Sequence, residues 1–255
     1  MSDAKYTAET ITEIHTWTPS LFSFKTTRDR AFRFAAGQFA RLGVHTGDGI
    51  VWRAYSIVSA PYDDFLEFYS IVVPGGAFTS QLSALKVGDR ILVERRSLGF
   101  LTTERFECGK DLWMLATGTG LAPFLSILYD LKTWETYDNL VLVHSVRQRN
   151  ELAYEQAIRN FQQNEVFAEF KTRLVYVQAV TRESVPDALD ARITELLENG
   201  ELERAVGLPI DCERSRIMIC GNPEMVDDTR ELLAGRGLRV SRRGDPGQLA
   251  VENYW

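Results

Sequence analysis

Residues 112–123 read Leu-Trp-Met-Leu-Ala-Thr-Gly-Thr-Gly-Leu-Ala-Pro. An apolar run from Leu112 to Ala116 enters a turn containing Gly118 and Gly120, and Pro123 stands where a helix would begin. A short apolar run bounded by turn residues fits a strand buried on both faces. Glycines let the backbone approach a pyrophosphate, and proline is at home in a helix's first turn, where its missing N–H costs nothing. The G-x-G-x-x-G dinucleotide fingerprint is not met, because Pro123 occupies the place of its third glycine. The stretch therefore predicts strand, turn and helix in the order that opens a parallel α/β unit.

Moving toward the C-terminus, the same alternation continues. Leu140–Ser145, Arg173–Ala179 and Arg216–Cys220 read as buried strands. Helices are expected from Ala122 to about Lys132, around Glu151–Gln163, over Ala188–Asn199 and over Pro223–Gly235. Strands alternating with helices form a parallel sheet with crossovers, whose nucleotide site lies at the carboxyl ends of the strands. Moving toward the N-terminus, the period changes. Thr7–Thr16, Leu21–Thr26, Gln38–Leu42, Arg53–Val58, Leu66–Val73 and Arg90–Glu94 are short runs rich in β-branched and aromatic residues, separated by glycine and proline turns. That spacing predicts a small antiparallel barrel or sandwich. The expected fold class is thus an antiparallel barrel over residues 1–102 followed by a parallel-sheet α/β domain over 103–255, with Leu101–Lys110 as the border.

Composition narrows the function. The chain has 255 residues, 45% hydrophobic and 25% charged, which allows cores of ordinary size. Its first ten residues lack the basic and apolar regions of a signal peptide, and no apolar run approaches a membrane span, so a cytoplasmic protein is expected. Cys108, Cys212 and Cys220 are too far apart for an iron–sulfur cluster of plant type, and with His15, His45 and His144 they suggest no metal site. Net charge is −6, split as eleven basic and ten acidic side chains in residues 1–102 against eighteen and twenty-five in 103–255. A nucleic-acid binder needs a broad basic face, which this distribution does not provide.

Four short motifs carry chemistry. Arg53-Ala54-Tyr55-Ser56 offers a cation, a ring and a hydroxyl at the start of an expected strand, suited to a diphosphate and a flat aromatic cofactor, although alone it reads more readily as an edge strand. Gly75-Gly76-Ala77-Phe78-Thr79-Ser80 opens a helix-like segment whose first N–H groups attract an anion. The third is the Thr117–Pro123 turn. Cys220-Gly221-Asn222-Pro223 again ends a strand and opens a helix, where a small side chain leaves room for a flat ring, or where a cysteine is simply buried.

Taken in this order, the motifs resemble those of the ferredoxin–NADP reductase family, in particular its bacterial ferredoxin/flavodoxin reductases, and the resemblance covers nearly the whole chain. It implies FAD in the barrel and NADP(H) on the parallel sheet. By that resemblance Arg53, Ala54, Tyr55 and Ser56 bind FAD, with Tyr55 stacked on the ring. Tyr69, Ser70, Ile71, Ala77, Phe78 and Thr79 contact the flavin and its diphosphate, and Thr119 lies where flavin and nicotinamide meet. Thr117, Gly118, Gly120, Cys220 and Gly221 line the nicotinamide site. The C-terminal Val251-Glu252-Asn253-Tyr254-Trp255 matches the family's aromatic ending, which implies Tyr254 over the flavin, Trp255 on the FAD adenine and Glu252 assisting proton and electron exchange. Ser56, Cys220, Glu252 and Tyr254 become the expected catalytic residues. The implied reaction passes a hydride between NADP(H) and flavin N5 and single electrons between flavin and ferredoxin or flavodoxin. Such carriers are acidic, and Arg95-Arg96 or Arg239, Arg242 and Arg243 are candidates for a docking patch on an expected monomer. The competing readings are the reductase component of an oxygenase, a free-flavin reductase and a non-catalytic flavin-binding regulator.

A 2′-phosphate on the nicotinamide nucleotide needs cations where an NAD site needs a carboxylate. Ser145 and Arg147 follow the second parallel strand, Arg182 follows the third and Arg192 opens the next helix. Replacing both Arg147 and Arg182 with alanine is expected to raise the KM for NADPH about tenfold or more while the KM for NADH changes little. Steady-state kinetics with both nucleotides check this, and equal effects on the two would overturn the assignment.

Overall fold

The computed structural model describes residues 5–47 and 49–253. Its N-terminal sheet contains β1 (Tyr6–Thr16), β2 (Leu21–Thr27), β3 (Phe39–Thr46), β4 (Gly49–Ser56), β5 (Phe65–Ile71) and β6 (Arg90–Glu94), with α1 (Ala77–Leu82) between β5 and β6. The strands pair antiparallel in the order β4-β3-β6-β1-β2-β5. Beyond the end of β4 the sheet curls until Ile57 bridges Phe68 of β5, which brings the two edges together as a barrel. Alternate side chains fill its interior: Ile11, Phe24, Leu42, Ile57, Phe68, Ile91 and Val93 are buried there. Phe78 and Leu82 of α1 pack into the same core.

The second sheet contains β7 (Asp111–Thr117), β8 (Asn139–Val146), β9 (Arg173–Val180), β10 (Ser215–Gly221) and β11 (Leu249–Asn253), all parallel, in the order β11-β10-β7-β8-β9. Its helices are α2 (Ala122–Tyr129), α3 (Leu131–Thr136), α4 (Glu155–Asn160), α5 (Glu165–Ala168), α6 (Ile193–Glu198), α7 (Glu201–Val206) and α8 (Pro223–Gly235). The period of two along β7 sorts its side chains between two cores. Leu112, Met114 and Ala116 face the side covered by α2 to α5, whereas Trp113 and Leu115 face α6, α7 and α8. Burial on both faces explains why this strand reads as a continuous apolar run.

Three expected helices are shorter than the sequence suggests. Asp130 adopts an extended backbone and its carboxylate accepts the Lys132 N–H, so α2 ends there and α3 begins afresh. Tyr154 has φ 60, which confines the helix around 151–163 to α4 and flanking single turns. Leu189 bridges Ala179, so the chain runs beside β9 before α6 starts, and Gly200 at φ +71 separates α6 from α7. Residues 249–253, expected as a tail, form the edge strand β11.

The barrel and the parallel sheet share one hydrophobic cluster. Leu21, Ala36, Val58, Tyr69 and Leu101 pack with Met114, Leu121, Leu125 and Met218. Polar seams run alongside. Ser126 Oγ donates to the Ser59 carbonyl at 2.8 Å in a fully buried position, and Tyr62 Oη donates to the Tyr129 carbonyl at 2.7 Å. Tyr154 Oη donates to Glu67 Oε1 at 2.7 Å while its ring lies 4.7 Å from that of Trp17. Removing a buried donor leaves its acceptor unsatisfied, at a cost of about 1–3 kcal/mol. Ser126→Ala is therefore expected to lower unfolding stability by about that amount, read as a shifted urea midpoint at unchanged m-value. A midpoint equal to wild type would mean that the bond contributes nothing to the seam.

Candidate active site at the sheet switch point

From β7 the chain adds β8 and β9 on one side, then crosses back to place β10 on the other. The reversal leaves a crevice at the carboxyl ends of β7 and β10, the position where open α/β sheets take their ligands. Here the two strand ends are clamped together. Thr117 Oγ1 accepts the Asn222 N–H at 2.9 Å. A Cβ on Gly221, which sits at φ +140, would lie 2.1 Å from Thr117 Oγ1, and one on Gly120 would lie 2.3 Å from the Cys220 carbonyl oxygen. Both positions exclude any side chain. Gly118 has φ +52 with open space around it, and its carbonyl accepts from His144 Nε2 at 3.1 Å. Thr119 projects half-buried from the tip of this turn.

The barrel supplies the facing wall. Tyr55 is half-buried on β4, its Oη 2.9 Å from Ser70 Oγ, its ring edge-on to Phe68 and 5.4 Å from Phe78. Arg53 and Ala54 are exposed on the same strand, and Arg53 makes no ion pair among the described residues. Phe78 and Ala77 lie in the first turn of α1. The Thr79 hydroxyl bonds both the N–H and the carbonyl of Val73 and so holds the glycine turn closed. Tyr69 and Ile71 point to the opposite face of β5, into the shared cluster, so the structure does not bring their side chains together with Tyr55.

Two strands join the halves of the site. β11 places Glu252 beside Cys220 of β10, and Ser56 Oγ at the end of β4 donates to Glu252 Oε1 at 3.5 Å. A Cβ on Gly99 would approach Glu252 Oε2 to 3.0 Å, so a glycine backbone borders the carboxyl group. Burial raises the Glu252 pKa from 4.5 to about 7, and the Ser56 hydroxyl pulls it back in part. Cys220 is fully buried in the shared cluster rather than open to the crevice. Tyr254 and Trp255 lie outside the described residues.

On the far side, Ser145, next to last in β8, pairs in register with Thr117. The Arg182 N–H donates to the Arg147 carbonyl at 3.0 Å, which sets these two arginines at adjacent strand ends. Arg192 caps α6, and all three side chains are exposed without an ion pair among the described residues. Backbone pairing thus brings Arg147 and Arg182 together, while Arg192 stands at the start of α6. Two residues carry weight that the motifs did not reveal: His144, buried beneath the turn, and Asn222, whose side chain also caps α8 by accepting the Met225 N–H. A polar residue within an apolar strand was the only signal for the first.

The fit to two nucleotides is visible in the donor set. Arg53, exposed and without an ion pair among the described residues, and the first turn of α1 flank the Tyr55 ring on one wall; on the other, the turn with Gly118 and Gly120 adjoins Ser145, which leads to the exposed Arg147 and its neighbour Arg182. This barrel and sheet define an oxidoreductase with separate flavin and nicotinamide nucleotide sites. Residues 10–97 match the model for the oxidoreductase FAD-binding domain, and residues 114–231 match that for the oxidoreductase NAD-binding domain. The ferredoxin–NADP reductase of Azotobacter vinelandii is 45% identical over 96% of this chain and 95% of its own. The flavodoxin/ferredoxin–NADP reductase of Escherichia coli K12 is 40% identical over 96% and 97%. The crystal structure of a ferredoxin NADP+ reductase from Neisseria gonorrhoeae with bound FAD and NADP superposes with a TM-score of 0.93 at 40% identity, covering 99% of this chain and all of that one. The chain belongs to the ferredoxin–NADP reductase family.

Glu252 links this site to pH. Its folded-state pKa lies above its unfolded value of 4.5, so the folded protein retains a proton that the unfolded chain has lost. Its contribution to stability is fully present below pH 4.5 and is lost as pH rises through about 7. Glu252→Gln is expected to flatten that part of the stability–pH curve and to be relatively more stable above pH 7. Thermal melts across the range, compared between the two proteins, check this; parallel curves would overturn it.

Proposed function

We propose that this chain is an FAD-dependent reductase that moves electrons between NADP(H) and ferredoxin or flavodoxin, working as a monomer in the cytoplasm. Residues 1–102 would hold FAD and residues 103–255 NADP(H). The observation that carries the reading is the contact of Ser56 with Glu252, because it joins the barrel wall to the sheet switch point in one site. Bound flavin supplies the exchange between a hydride at N5 and single electrons, which no side chain provides. The chain's own residues bind and orient. Tyr55 stacks on the ring, Arg53 and the first turn of α1 hold the diphosphate, and Ser70 fixes the Tyr55 ring through its hydroxyl. The Thr117–Leu121 turn receives the nicotinamide end, while Ser145, Arg147, Arg182 and Arg192 hold the 2′-phosphate. Glu252 holds or releases a proton near neutral pH beside Ser56, and the buried Cys220 keeps that floor small and apolar. Tyr254 and Trp255 are proposed to cover the flavin and its adenine.

The carrier's docking face is proposed beside Glu252. Phe100 is 74% exposed, and the Arg105 guanidinium lies 5.1 Å above its ring. Arg105 and Ser241 exchange two hydrogen bonds, at 2.5 and 3.3 Å, which set Arg242 and Arg243 next to this pair. Arg95 and Arg239 are instead held by Asp29 and Asp245. Arg242 and Arg243 make no ion pair among the described residues, which leaves them for an acidic partner.

Anaerobic NADPH is expected to bleach the bound flavin within a few turnovers, and the reduced protein to reduce ferredoxin and flavodoxin at rates that fall as salt is added. Flavin that NADPH leaves oxidised would overturn the reading. Arg242→Ala with Arg243→Ala is expected to raise the carrier KM several-fold while ferricyanide reduction is unchanged; an unchanged carrier KM would overturn the docking face only.

A further inference from the structure

His144 is a fully buried histidine that none of the roles above uses. It sits on β8 between Ala116 of β7 and Gln178 of β9. Its Nε2 lies 3.1 Å from the Gly118 carbonyl oxygen. A carbonyl only accepts, so the proton must be on Nε2. Burial lowers the ring's pKa to about 4, so near neutral pH the ring is uncharged and Nδ1 carries a lone pair. That Nδ1 is buried without a hydrogen-bond partner.

Gly118 is where the chain leaves β7 for the turn, in a left-handed conformation that costs glycine little. Its neighbours are already fixed from the β10 side by the Thr117–Asn222 bond and the Gly120–Cys220 contact. Among the described residues, the side-chain hydrogen bond that ties the Gly118 carbonyl to β8 is that of His144, added to the turn's own 3-10 backbone bonds. Without it the turn would be tied to β10 alone, and Thr119 at its tip would be less firmly directed.

We propose that His144, as the neutral Nε2–H tautomer, is a positioning residue that anchors the Gly118 peptide and thereby aims Thr119 and the turn's N–H groups at the nicotinamide. This rests on the reading of the Thr117–Leu121 turn as the nicotinamide site. The anchor acts on alignment rather than on affinity, because the arginines that grip the nucleotide lie elsewhere. A misplacement of a reacting group by a fraction of an ångström to an ångström costs rate before it costs binding.

The test uses the FAD-loaded protein and stopped-flow reduction by NADPH, with His144→Leu and His144→Gln as variants. The glutamine amide restores a donor toward Gly118, whereas leucine keeps the bulk alone. His144→Leu is expected to lower the limiting rate of flavin reduction tenfold or more with the apparent Kd for NADPH changed less than about twofold, and His144→Gln to recover most of the rate. Equal rates in the three proteins, equal losses in both variants, or a loss confined to Kd would overturn the proposal. Wild-type flavin that NADPH fails to reduce would instead overturn the nicotinamide reading. Should the leucine variant not fold, ring ¹⁵N shifts of wild-type His144 decide the matter: the Nε2–H tautomer is expected from pH 6 to 8, and the Nδ1–H tautomer or an imidazolium would overturn the anchor.

Discussion

The site depends on one steric constraint, the approach of the turn after β7 to the end of β10. Gly120 and the Cys220 carbonyl are closer than any Cβ allows, and Gly221 and the Thr117 hydroxyl repeat the contact from the other strand. Backbone thus packs on backbone at the switch point, and no side chain can stand between the two strand ends. The Thr117–Asn222 hydrogen bond sets the spacing, and Asn222 in turn begins α8. Everything placed relative to the crevice inherits this clamp: Thr119 above it, Cys220 beneath it, and Glu252 one strand beyond.

Much of this arrangement is legible in sequence because it is written in short-range patterns. The apolar run of β7 and its glycine turn announce both the parallel sheet and the crevice. The arginines after β8 and β9 can be placed because strand ends in a parallel sheet are neighbours. What is hidden depends on contacts distant in sequence. β11 lacks alternation and is a strand only because β10 offers it an open edge. Tyr69 and Ser70 are adjacent in the motif, but the pleat of β5 sends one into the shared core and the other to Tyr55. The Thr79 hydroxyl looks available in sequence and is consumed by Val73. The breaks at Asp130 and Tyr154 shorten helices whose expected spans run straight through them.

The electrostatics divide by depth. The chain is acidic overall, yet Arg147, Arg182 and Arg192 stand exposed at the rim without an ion pair among the described residues. Inside the site the arrangement is reversed: a single carboxyl group, bordered by a serine hydroxyl and a glycine backbone, has its charge suppressed by burial. A group poised near neutrality can hold either protonation state at small cost.

The cluster that barrel and sheet hold in common bears on how such a protein could be rebuilt by recombination. Most two-lobed enzymes meet across a wet, polar boundary, and their lobes can be traded between relatives. Here Val58, Tyr69 and Leu101 are part of the same packing as Met114, Leu121 and Met218, and the Tyr154 ring reaches across to Trp17 and Glu67. A chimera joined between residues 102 and 103 would match two halves of one jigsaw cut from different boards. To exchange the nicotinamide lobe while keeping the flavin lobe, the donor would have to match the residues on both sides of this packing.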